Sequence, residues 1–301
     1  AIAYHITYLD KEGRIFKRQI DSLLRDFNQA LSNYIPDSEI SIFNKSGAVI
    51  FELPYFSEVL KTSKVVYEKS QGAFDPTIGQ LIDAWGFGAE GYIGPDSSQV
   101  DSLLEHVGFD YIDFDERSAK KLRDGIRLNF GAIAKGQATD VVGDFLFDQG
   151  VKNYLVEIGG EVRASGKNAE GIFWKIAIEV PDENRVGQAF DGIMLEDQGM
   201  ATSGNYRNFR IVNGRKVAHT IDPKTGFPKM QTLLSATVMA PNCMLADAYA
   251  TACMTMGLEE SKQMILNDAS LEAYFIYLDE EGKTTTYISP GIENRILSQL
   301  N

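Results

Sequence analysis

Ile126-Arg-Leu-Asn-Phe-Gly-Ala-Ile-Ala-Lys-Gly136 is the stretch on which the fold turns. Ile126, Leu128 and Phe130 alternate with polar residues, which predicts a strand over 126–130. Gly131 to Gly136 turns the chain into a predicted helix over 134–148, closed by Gly150. Strand, Gly-rich turn and helix invite comparison with the phosphate loop GxxxxGK(S/T). The comparison fails, because Gln137 and Ala138 stand where Lys and Ser/Thr are required, and GxGxxG is absent as well. What survives is physical. Glycines allow close backbone approach, a helix N-terminus presents free N–H groups to an anion, and Lys135 adds a full charge. The plainer alternative is a tight turn with a solvated lysine.

Outward from this stretch the texture is mixed. Asn153 to Ile158 reads as a strand running into Gly159-Gly160, and Trp174 to Val180, Leu234 to Met239 and 272–278 read as further strands. Asn213-Gly214 signals a hairpin within 208–221. Towards the N-terminus, Ala3 to Tyr8 alternates as a strand. Residues 15–33 place Ile20, Leu23, Leu24, Phe27 and Leu31 at helical spacing before Tyr34 and Pro36 end the helix. Helices are also predicted over 55–70, 78–85, 97–107 and 245–256. Helices and strands mix without regular βαβ alternation, so the predicted class is α+β, mixed sheets with flanking helices, rather than a doubly wound fold.

Of the 301 residues, 44% are hydrophobic and 24% charged, which suits a globular enzyme and excludes disorder for most of the length. No run approaches eighteen apolar residues, so no spanning helix is predicted. Lys and Arg number 29 against 42 Asp and Glu, a net of -13 that argues against nucleic acid as a partner. A local site for a small phosphorylated ligand stays open. Three histidines argue against a His-rich metal cage. Cys243 and Cys253 form no CxxC; one disulfide is possible, but two buried free thiols are the favoured reading. The chain opens at Ala1 with no initiator Met, so a preceding segment is expected to have been removed.

Three further segments could carry chemistry. In 245–256 Asp247, Thr251 and Thr255 lie four apart and form one polar stripe on an otherwise apolar helix. A carboxylate there needs a partner or a cation. Asp247 with Thr251 one turn on offers two hard oxygens suited to Mg²⁺. The alternative is that Asp247 caps the helix. Ala201 to Asn208 precedes His219-Thr-Ile-Asp222-Pro-Lys-Thr-Gly226, a strand end entering a turn. His219 could take a proton from a hydroxyl near neutral pH, or be structural, and Asp222 could simply start the turn. Gly72-Ala73-Phe74-Asp75-Pro76-Thr77 and Trp85-Gly-Phe-Gly88 could hold a planar ring, though by themselves they read as ordinary loop chemistry beside a core Trp.

Taken in order, Asp37 to Asn44, Gly72 to Gly79, Trp85 to Gly88, Asn129 to Gly136, Glu157-Ile-Gly-Gly-Glu161, Ala201-Thr-Ser-Gly204, His219 to Gly226 and Ala246 to Thr251 resemble the ApbE family of flavin transferases. The segments span roughly residues 34–257. The resemblance implies a single domain over 1–301 of T-fold-like architecture, with an FAD cleft between lobes. It implies a Mg²⁺-dependent FAD:protein FMN transferase, which moves FMN from FAD to a Thr or Ser hydroxyl of a target flavoprotein and releases AMP.

Carried over by residue, the resemblance makes Asp247, Thr251 and the Ala132 carbonyl the metal ligands. It places FAD against Tyr34, Ala73, Phe74, Asp75, Asn129, Lys135 and the vicinity of Ile221. His219, or else Asp222, would activate the incoming hydroxyl. Asn129 departs from the Asp often found there, so its role would be hydrogen bonding and not charge. The acceptors implied are extracytoplasmic flavoproteins, such as subunits of sodium-pumping NADH:quinone reductase and related electron-transport complexes. The location implied is periplasmic, with a lipid anchor on the full-length precursor. Competing readings are a Mg²⁺-dependent FAD pyrophosphatase yielding FMN and AMP, and a non-catalytic FAD-binding protein.

Overall fold

The computed structural model describes residues 2–88, 92, 94–182, 185, 187–205, 209–212, 215–229 and 231–297. The chain divides into two compact units. The first comprises Ala1–Phe16, Lys135–Phe209 and Gln231–Asn301; the second comprises Lys17–Ala134 and Arg210–Met230. Elements are numbered in chain order.

The first unit is built on a seven-stranded sheet of β1 (Tyr4–Tyr8), β5 (Tyr154–Ile158), β6 (Glu161–Ser165), β9 (Gly199–Gly204), β12 (Leu233–Ala240), β13 (Glu272–Leu278) and β14 (Thr284–Ile288), in that spatial order. Every neighbouring pair is antiparallel. β5 and β6 are joined by Gly159-Gly160, both at positive φ (64° and 101°), and the register Ile158↔Glu161 makes a two-residue hairpin. A smaller sheet of β7 (Trp174–Glu179), β8 (Ala189–Leu195) and β15 (Ile296–Leu297) packs against the large one. Trp174, Ile178, Ile193 and Leu195 share an apolar core there with Val162, Met200, Met239 and Ile276. The long helix α7 (Cys243–Met256) packs on β9 and β12, and α8 (Leu258–Leu266) on β13. β12 is consequently buried along almost its whole length. α6 (Ala134–Asp148) opens the second passage of the chain through this unit.

The second unit contains α1 (Lys17–Leu31), α2 (Glu39–Ser46), α3 (Phe56–Lys69), α4 (Gly79–Ala84) and α5 (Ser97–Leu104). It also has a three-stranded sheet in the order β2 (Ala48–Ile50), β4 (Ser118–Lys121), β3 (Ile112–Phe114), and the pair β10 (Phe209–Val212) and β11 (Arg215–Ala218). The hairpin expected at 208–221 thus has its two strands, while Asn213-Gly214 lies outside the described residues. Ser38 caps α2 by accepting from the Ser41 N–H, and Asp96 with Gln99 closes a capping box on α5.

The α+β expectation holds, with helices flanking antiparallel sheets. One strand is corrected. Residues 126–130 are not in a ladder; Arg127 makes only an isolated bridge with Ile78. Ile126, Leu128 and Phe130 are buried in alternation as a strand's would be. The backbone is claimed by other partners: Asn44 accepts from the Leu128 N–H and donates to its carbonyl, and the Asn129 N–H donates to Pro76. The helix predicted to 107 ends at Leu104.

Candidate functional site

In the first unit the site is organised by α7. Asn242 caps it, accepting from the Leu245 N–H, so the alternative that Asp247 is the cap is corrected: Asp247 lies one turn inside. α7 seats closely because small residues face it. A Cβ on Gly199 would stand 2.1 Å from the Cys243 nitrogen, and one on Gly136 would stand 2.3 Å from the Cys243 carbonyl oxygen. Asp140 on α6 takes the first two amides of the helix, accepting from the Cys243 N–H at 2.9 Å and the Met244 N–H at 2.8 Å. Its pKa is pushed up to about 6 by burial, against the pull of Arg163 and of those two donors.

This seating places Asp247, 3% exposed, beside the start of α6, where its Oδ2 accepts from the Gly136 N–H at 3.0 Å. Its Oδ1 has no hydrogen-bond partner among the described residues. One turn on, the Thr251 hydroxyl lies 3.2 Å from that of Ser203 on β9, and the Thr255 hydroxyl donates back to the Thr251 carbonyl. The Lys135 ammonium donates to Glu161, whose side chain is buried at the start of β6. Burial opposes the charge on Lys135, yet Asp247 and Glu161 together hold its pKa above the usual lysine value. Burial pushes the Glu161 and Asp247 carboxyls upward, and Lys135 pulls both back.

The half-buried ammonium is therefore paired with Glu161 and lies in the field of Asp247. The donor set is all hard oxygen, with Asp247 and Thr251 on one helix face and one carboxylate oxygen open, and it fits a Mg²⁺ ion. Among the described residues no three His, Cys, Asp or Glu side chains converge as a metal cage.

In the second unit two of the sequence motifs meet. The turn after His219 is closed by Asp222: its carbonyl accepts from the Gly226 N–H at 2.7 Å and its Oδ1 from the Lys224 N–H at 2.8 Å. The Trp85 indole N–H donates to the Gly226 carbonyl at 2.8 Å, and its ring lies 5.9 Å from that of Phe227. Phe87 stands edge-on to His219 with ring centroids 6.3 Å apart. Ile221 is a core side chain, packed with Leu81, Trp85 and Val100, so only its backbone remains for a ligand.

The loop 72–77 is equally well fixed. Asp75 Oδ1 accepts from the Thr77 N–H and hydroxyl at 2.8 and 2.6 Å, and burial pushes its pKa up to about 6. Ala73 and Phe74 are buried. Asn129 Oδ1 accepts from the Gly131 N–H at 2.8 Å, shaping the turn that carries Ala132. Tyr34, by contrast, is 76% exposed.

The sequence reading missed Glu161 as the partner of Lys135, Asp140 as the anchor of α7, and Ser203 beside Thr251. The first had a signal, since Gly159-Gly160 is a two-residue hairpin turn and places Glu161 at a strand start. The others are contacts between residues 48 to 104 positions apart.

The ApbE family model matches residues 2–275. The chain belongs to the ApbE family. Among its curated relatives, the FAD:protein FMN transferase of Haemophilus influenzae is 36% identical over 297 residues, covering 94% of this chain and 85% of that protein. That of Vibrio cholerae is 36% identical over 270 residues, covering 85% and 79%. Among solved structures, the flavin transferase ApbE from Vibrio cholerae superposes with a TM-score of 0.86 at 32% identity, covering 97% and 95% of the two chains. The flavinyl transferase ApbE of Pseudomonas stutzeri, in its apo form, gives 0.83 at 30%, covering 95% and 91%. The matched range spans all the segments singled out from the sequence.

Proposed function

We propose that this protein is a Mg²⁺-dependent FAD:protein FMN transferase that moves FMN from FAD to a Thr or Ser hydroxyl of a target flavoprotein and releases AMP. The observation that carries the reading is the buried Asp247 on α7, with an open oxygen, Thr251 one turn on and Lys135 nearby in charge. Mg²⁺ supplies Lewis acidity at the pyrophosphate oxygens. Asp247 and Thr251 would hold it, together with the Ala132 carbonyl that the family resemblance implies.

Lys135 and the positive end of the α6 dipole offset charge developing on phosphate. Tyr34, the 73–75 backbone, Asn129 and the Ile221 backbone are assigned to FAD, with Asp75 shaping its loop. His219 accepts the proton of the incoming hydroxyl, and Asp222, committed to its turn, holds the segment. We assign the acceptors to extracytoplasmic flavoproteins, including subunits of sodium-pumping NADH:quinone reductase, and the protein to the same compartment, lipid-anchored in its precursor. No helix among the described residues is long and apolar enough to cross a membrane.

Incubation with FAD and Mg²⁺, with and without an acceptor, tests the reading. Covalent flavin fluorescence on the acceptor, with equimolar AMP, is expected. Release of free FMN irrespective of acceptor would make the protein a pyrophosphatase, and unchanged FAD would make it a binder.

A further inference from the structure

We propose that Glu161 is the positioning residue of Lys135: its buried carboxylate fixes where the ammonium points. The inference rests on the transferase reading, which assigns Lys135 to the FAD phosphates. Glu161 is the first residue of β6, directly after the Gly159-Gly160 turn. That turn is itself pinned, because Glu157 Oε1 accepts the Gly160 N–H at 2.6 Å. The hairpin register therefore sets the Glu161 side chain inward, at 2% exposure.

Glu161 Oε1 accepts from Lys135, while Oε2 is buried with no hydrogen-bond partner among the described residues. Among the described residues, Lys135 is thus the side chain that compensates this carboxylate. A strand start needing only packing would be better served by an apolar residue, which carries no desolvation penalty. The lysine stem is guided too. A Cβ on Gly159 would stand 3.3 Å from Lys135 Cδ, so the bare glycine leaves the stem its path. A free lysine samples many rotamers around a point charge. Here the glycine below and the carboxylate at the tip select one direction, at the start of α6.

The test is a double-mutant cycle on the full chain, with Glu161→Ala, Glu161→Gln, Lys135→Met and the corresponding doubles. The readouts are kcat and KM for FAD in flavinylation, FAD binding by flavin fluorescence, and thermal stability. Glu161→Ala is expected to lower kcat/KM about 10- to 100-fold, the scale of a charge-assisted hydrogen bond. Glu161→Gln keeps an acceptor oxygen and should lose less.

In the Lys135→Met background either Glu161 change should cost less than a further two-fold or so, because the residue acts through the lysine. Independent, multiplying losses would overturn the proposal, as would single variants that change stability but leave kcat/KM unmoved. If Glu161→Ala does not fold, the Gln cycle carries the same test. A wild-type protein that neither transfers nor binds FAD overturns the transferase reading. A wild type that transfers, with multiplying losses in the variants, overturns the role of Glu161 alone.

Discussion

The Asp247 carboxylate accepts the Gly136 backbone N–H at 3.0 Å, tying the helix that carries the proposed metal ligands to the helix start that carries Lys135. The approach is possible only because residue 136 has no side chain. A Cβ there would stand 2.3 Å from the Cys243 carbonyl oxygen and 2.8 Å from Asp247 Cβ, and the first neighbour is backbone that cannot rotate away. Gly136→Ala is therefore expected to destabilise by about 1–3 kcal/mol through overpacking. Transfer activity should fall further than stability does, because the clash displaces Asp247 itself. Urea unfolding alongside flavinylation kinetics checks both, and an Ala variant with native activity would refute the close approach.

Asp247→Asn keeps an amide oxygen for the Gly136 N–H and removes the charge. A buried carboxylate without its cation is a cost to the fold, so the metal-free variant should melt at or above the wild-type temperature. Added Mg²⁺ is expected to raise the melting point of the wild type by binding the native state, and this increment should vanish in the variant. Transfer should fall about a thousand-fold or more, the scale of several kcal/mol of lost charge stabilisation. A retained Mg²⁺-induced melting shift would move the metal away from Asp247.

Asp140 gives a pH signature. Burial raises its pKa to about 6 from an ordinary value of 3.8. Between those values the native state holds a proton that the unfolded state has lost, so stability falls as pH rises from about 4 to about 6 and is then level. The single-residue effect is at most about 3 kcal/mol. Asp140→Asn lacks this dependence. It also leaves one of the Cys243 and Met244 N–H groups facing a donor, costing about 1–3 kcal/mol. The wild type should thus exceed the variant by more at pH 4.5 than at pH 8. Urea titrations at the two pH values decide, and a gap that widens towards pH 8 would contradict the raised pKa.

The sequence disclosed what is local and periodic. α1 follows from 3.6-residue spacing, α6 from the glycines that bound it, α7 from an apolar run with one polar stripe, and β1 and β7 from alternation. Sheet order was not legible, because β6 pairs with β9 and β9 with β12 across more than 30 residues, and no short-range pattern encodes that pairing. Ile126 to Phe130 misled for a definite reason: its burial alternates, but Asn44, far off in sequence, occupies the hydrogen bonds of Leu128. At the site, the Asp247–Thr251 stripe was readable as a helix face. Glu161 was not read as the partner of Lys135, since that pairing depends on how the hairpin and α6 come together in three dimensions.

The two cysteines are free and buried on one helix. Burial pushes the Cys253 thiol up to about 12 and Cys243 well above its ordinary value, so neither forms thiolate near neutral pH. Native protein should take up no aromatic disulfide reagent over minutes, and two equivalents after denaturation. Reductant should leave activity unchanged. Rapid labelling of the folded protein would show that α7 opens more readily than its packing implies.

The Trp85 indole N–H bound to the Gly226 carbonyl at 2.8 Å anchors the turn that follows His219. Gly226 sits at φ 73°, and a Cβ there would meet Val100 at 2.5 Å, so the turn has little freedom to shift on its own. Trp85→Phe retains an aromatic ring in the cluster of Leu81, Val100 and Ile221 and removes only the donor and some volume. A buried carbonyl left unpaired costs about 1–3 kcal/mol. If the turn orients His219 for proton transfer, a small displacement should lower kcat about ten-fold, since misplacement of a reacting group is penalised steeply. FAD KM should change less than kcat, because the ring contact is kept. A variant that loses stability but keeps kcat would remove this turn from the chemistry and leave Trp85 a purely structural anchor.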